Sequence, residues 1–178
     1  MYRNLSLLLL GCVALLAIGS ESAIAQRDAT SKARGDYRTY FSGHSAGRSV
    51  RHARDYAQGL QYYSRAPVPI PREIAKREAT AIQQNLTAAK QEYSAIRKTA
   101  GEDKELTTLL DAIDQHVAAA DEALTRLHKC CEVDNVDSKM VAECCTDIDS
   151  ALEKVHAEHE KLMKRLDQAR GQTKSPRK

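Results

Sequence analysis

The chain has no tryptophan and one phenylalanine, so any core it builds must be packed with Leu, Ile, Val and Ala rather than with large rings. Alanine-rich seams let helices approach closely, but each alanine buries little of the apolar surface that stabilises a fold by about 25 cal/mol per Å². Proline is scarce, and three of its four copies fall within Pro67-Val68-Pro69-Ile70-Pro71, which leaves long flanking segments free of helix breakers. No second long apolar run follows the one at the N-terminus, so no stable membrane span is expected in the remainder. Nucleophile elbows, phosphate-cradling glycine loops, dinucleotide fingerprints and haem-attachment motifs are all absent. These absences predict neither catalysis nor a cofactor.

The N-terminal run is informative. One basic residue, Arg3, precedes an apolar stretch from Leu5 to Ile18, and Ala23-Ile24-Ala25 follows with small residues at the right spacing. Residues 1–25 therefore read as a secretory signal peptide, and the mature protein as exported, periplasmic or secreted. Removal of Cys12 with that segment leaves four cysteines in an oxidising compartment. The remainder, about 150 residues, is the size of one domain.

Charge is segregated. Residues 26–72 carry nine Lys/Arg against three Asp/Glu, whereas residues 73–170 carry fourteen against twenty. A basic, Arg-rich arm thus precedes an acidic body, and it either folds back on that body or meets an external polyanion. The run from Arg48 to Arg65, interleaved with Tyr56, Tyr62 and Tyr63, suits phosphate or sugar-acid polymers. The partner expected is a protein or a polyanionic envelope component, with no nucleic acid.

Three segments keep an unbroken 3-4 apolar spacing, the pattern of helices packed along coiled-coil-like seams. The first runs from Ala75 through Ile82, Leu86 and Tyr93 to Ala100, the second from Leu106 through Ile113 and Leu124 to Cys131. The third runs from Val141 through Ile148, Val155 and His159 to Ala169. Pro71 suits a first helical turn, Gly101 the residue past a helix end, and Asp103 and Asp137 or Ser138 suit N-caps. The predicted fold is all-α, an antiparallel bundle of three long helices (71–100, 103–132, 138–170) with a shorter basic helix at 46–65 that completes the bundle or lies across it. Residues 44–170 form the domain, while 26–43 and 171–178 read as loose basic segments. Three long seams need not bury one another completely, which makes self-association a further expectation.

Two constellations could carry chemistry. Cys130-Cys131 and Cys144-Cys145 lie symmetrically about the turn near residue 137, and that symmetry sets Cys130 opposite Cys145 and Cys131 opposite Cys144. Two disulfides in that pairing would clip the last two helices together. The alternative is metal handling, with the four thiolates binding Zn or Cu. The same symmetry sets His116 opposite His159, with His156 one turn away and Glu153 completing a single Glu-x-x-His, where di-iron bundles need two. The blander reading makes His159 a polar seam residue that fixes register, with His116 and His156 on the surface.

Overall fold

The computed structural model describes residues 37–101 and 103–172. Four helices and no strand occur among them: α1 (37–64), α2 (Arg72–Ala100), α3 (Lys104–Glu132) and α4 (Ser138–Gln172). The expected signal peptide, most of the arm and the end of the tail lie outside the described residues. Residues 37–45 are helical, so α1 starts well before the expected position 46, and the segment assigned to a loose arm is helical from 37 onward. The compact unit that carries the bundle begins at Thr39.

Each boundary has a local cause. Pro71 sits at the N-cap of α2, one residue ahead of the helical turn expected for it. Gly101, at φ 56° and ψ −128°, takes a conformation open mainly to glycine and ends α2, and it is the one positive φ among the described residues. Asp103 then caps α3 by accepting from the amide of Leu106 at 3.0 Å. Asp137 does the same for α4, accepting from the amides of Lys139 and Met140.

The fourth helix completes the bundle. Thr39 hydrogen-bonds to Thr99 of α2, while Gln61 reaches Thr146 and Arg54 reaches Asp149 on α4. With α2 and α4 as its neighbours, both antiparallel to it, α1 closes an up-down-up-down arrangement. The expected seams are the core: Ile82, Leu86 and Ile96 of α2, Leu110, Ile113 and Leu127 of α3, and Ile148, Leu152 and Leu162 of α4 are fully buried. Ala46, Val50, Ala53, Ala57 and Leu60 of α1 fill the remaining side.

Small residues set how closely α1 approaches α4. A Cβ at Gly43 would meet Sδ of Met163, and one at Gly47 would fall on Nε2 of His159. Both glycines are spaces into which α4 side chains fit. Gly59 is different, because a Cβ there would meet nothing within 4 Å. The fold gives no packing reason for that glycine, which costs an exposed helix about 1 kcal/mol relative to alanine.

These two positions predict opposite outcomes. Gly47→Ala is expected to destabilise the protein by about 1–3 kcal/mol through overpacking against His159, and Gly59→Ala to stabilise it by about 0.5–1 kcal/mol. Urea midpoints of the two variants would show this, and shifts of the same sign would contradict the packing described.

Candidate functional site

Cys130 and Cys131 end α3, and Cys144 and Cys145 lie in the second turn of α4. All four are buried thiols without a disulfide bond. Cys131 and Cys145 are fully inside at 0% exposure, whereas Cys130 and Cys144 keep 8% and 4%. Cys130 and Cys144 line one cavity, whereas mirror symmetry about the loop sets Cys130 opposite Cys145. Helix geometry explains the difference. Cys131 and Cys145 occupy the two facing seams, and stepping back one residue rotates the side chain by about 100° in each helix. Because the helices are antiparallel, both steps turn toward the same flank, so Cys130 and Cys144 come together there.

Burial is the main reason Cys131, Cys144 and Cys145 hold their protons. It pushes Cys131 up to about 11, with Cys130 adding to the shift, and Cys145 up to about 12. Cys144 is pushed up to about 11 by burial and by Cys130, against the opposing effect of Arg126. Among the described residues no group of three or more His, Cys, Asp or Glu side chains converges as a metal ion would require. The divergence of adjacent helical cysteines accounts for this in the thiol cluster.

The three histidines have separate surroundings. His159 is 6% exposed, and its Nδ1 lies 3.1 Å from the hydroxyl of Tyr93, on the diagonally opposite helix α2. The rings meet edge-on with centroids 5.9 Å apart. His116 does not face it. It lines a groove of about 730 Å³ between α3 and α4 with Arg126, Asp147, Ala151 and Lys154. His156 lies 3.6 Å from Glu160, and its Nδ1 is buried without a hydrogen-bond partner, as is Nε2 of His128. The expected facing of His116 and His159 fails because His159 points into the bundle toward α1 and α2, whereas His116 lies on the α3/α4 flank.

Burial dominates the chemistry of His159, with smaller contributions from His156, Arg51 and His44 opposed by Glu160, and its pKa falls from 6.5 to about 4. Burial also raises Tyr93 above its ordinary value. Between pH 6.5 and 4 the unfolded chain binds the proton that the folded chain refuses, so stability is flat above that window and falls as pH drops through it. The loss attributable to this residue is up to about 3 kcal/mol. Denaturation midpoints at pH 7 and pH 5 should therefore differ less in His159→Gln than in the wild type; equal differences would show that the ring is not held neutral.

The outer face of α1 is the third candidate. Phe41, Tyr56, Tyr62 and Tyr63 are exposed, at 58%, 40%, 78% and 57%, while Tyr93 is the one aromatic in the buried core. Arg48 and Arg51 are exposed on the same side, and so are His44 and His52, with Asp55 as the acidic residue among them. Arg54 instead turns inward, 2.6 Å from Asp149 and 3.6 Å from Glu153. The basic helix α1 thus folds onto the acidic body through Arg54 and keeps Arg48 and Arg51 in solvent. Phe41 was missed by sequence reasoning because it lies in the segment read as loose; its helical spacing to Arg48 was the available signal. No protein-family model matches the chain, and neither a curated protein nor a solved structure does.

Proposed function

We propose that this is an exported, non-catalytic helical bundle that binds an anionic polysaccharide along the outer face of α1. The observation that carries the reading is the placement of the aromatics: in a chain so poor in rings, Phe41, Tyr56, Tyr62 and Tyr63 stand in solvent on one basic helix rather than in the core. Exposed rings interleaved with guanidinium groups suit a ligand with both flat sugar faces and anionic substituents. Arg48 and Arg51 supply charge attraction, and the tyrosines supply stacking area. Gly59 lies in the same stretch with open space above it, which lets a polymer approach the backbone between Tyr56 and Tyr62.

Other occupants fit less well. Two copies of this face would bring arginines against arginines, which disfavours self-pairing through α1. Export rests on the sequence of residues 1–25 and supports an envelope or extracellular polymer over nucleic acid.

Binding of the mature protein to heparin and to polyphosphate tests the proposal. Arg48→Ala/Arg51→Ala should weaken both by roughly tenfold at low salt, the effect of losing two exposed charge contacts. Tyr62→Ala/Tyr63→Ala should weaken heparin binding more than polyphosphate binding. Wild-type affinity for heparin in both folded variants would remove the outer face of α1 as the binding surface.

A further inference from the structure

The two outer thiols share a cavity. Cys130 and Cys144 line an opening of about 360 Å³ beside the α3/α4 turn, walled by Val133 and Met140, with Arg126, Lys129, Asp137 and Glu143 around it. Val133 and Met140 are half-exposed, so the apolar wall is open to solvent. Cys131 and Cys145 lie in the seam, fully covered. The four thiols therefore form two chemically distinct pairs, one at a mouth wide enough for a small molecule and one sealed inside.

We infer that Cys130 and Cys144 are a site of thiol-disulfide exchange, in which a low-molecular-weight disulfide enters this cavity and leaves a Cys130–Cys144 bond before Cys131 and Cys145 react. One outer thiol loses its proton, and the thiolate attacks a sulfur of the incoming disulfide, breaking its S–S bond and releasing one thiolate. The second outer thiol, deprotonated in turn, attacks the protein sulfur of the mixed disulfide and releases the other. Two protons and two electrons pass from the cysteines to the oxidant, which departs as two thiols. The cavity that Cys130 and Cys144 line together places the resolving group beside the attacking one. Arg126 and Lys129 suit the carboxylates of an oxidant such as glutathione disulfide, and Arg126 opposes the rise in the Cys144 pKa. Burial of Cys144, which raises its pKa, makes the reaction faster as pH rises. The inference does not rest on polymer binding by α1.

The experiment is a time course of the fully reduced mature protein with oxidised glutathione under native conditions, read by intact mass, thiol alkylation and fragmentation. The expected first product has lost two hydrogens and two alkylatable thiols, with the bond mapped between Cys130 and Cys144. Cys131→Ala/Cys145→Ala should form it at the wild-type rate. Cys130→Ala/Cys144→Ala should keep both remaining thiols while folded and oxidise once denatured. A first bond between Cys131 and Cys145, either crossed pairing, a bond within Cys130-Cys131 or Cys144-Cys145, or no reaction in the folded wild type would overturn the assignment. The wild-type mapping decides the matter if a variant fails to fold.

Discussion

Where α1 crosses α4, Gly47 omits the side chain that would collide with His159, and the imidazole ring occupying that space hydrogen-bonds to Tyr93 of α2. Three of the four helices are tied to one another at this point. The remaining helix, α3, packs its seam into the core and is also joined to its neighbours by ion pairs: Arg97 of α2 to Asp111 and Asp114, and Arg165 of α4 to its N-cap Asp103. A core built on alanine tolerates rotation and sliding of its helices, because small side chains interlock weakly. A buried polar pair does not, since moving out of register leaves the hydroxyl and the ring nitrogen without partners. The Tyr93–His159 bond therefore selects one arrangement among several that apolar packing alone would allow.

The same economy explains the unusual division of labour on α1. Beside Val50 and Leu60, its inner face uses Gly43, Ala46, Gly47, Ala53 and Ala57, residues too small to keep α4 at a distance. Its outer face carries the rings. In most bundles large apolar side chains point inward, where their burial contributes stability. Here the close approach of α1 and α4 leaves no room for them inside, so the aromatic residues are available for contact with something else.

The seams of α2, α3 and α4 were legible because their apolar spacing runs without interruption, and Asp103 and Asp137 were legible as caps because their side chains do what short carboxylates do at helix starts. The beginning of α1 was not. Ser42, Gly43, Ser45, Gly47 and Ser49 have poor helix propensity, and the tertiary contact with Met163 and His159 that favours them as small residues is invisible locally. The shared flank of Cys130 and Cys144 was hidden for a geometric reason: positions equidistant from a turn are level along two antiparallel helices, but they do not share an azimuth. Cys131 and Cys145 share the seam, and their predecessors share a flank. The same distinction separated His116 from His159.

The topology also fixes an order of assembly. Contacts of α2 with α3 and of α3 with α4 join helices connected by short turns, whereas the bonds from α1 to α4, such as Gln61 to Thr146, Gln58 to Asp149 and Arg54 to Asp149, span 85 to 95 residues of chain. Closing so long a loop costs more entropy than closing a hairpin. In a chain synthesised from its N-terminus, α1 is the first of the described helices to be made, and its face toward α4 waits longest for its partner. An inner face on which Val50 and Leu60 are the only large aliphatic residues among glycines and alanines offers little apolar surface for mispairing during that wait.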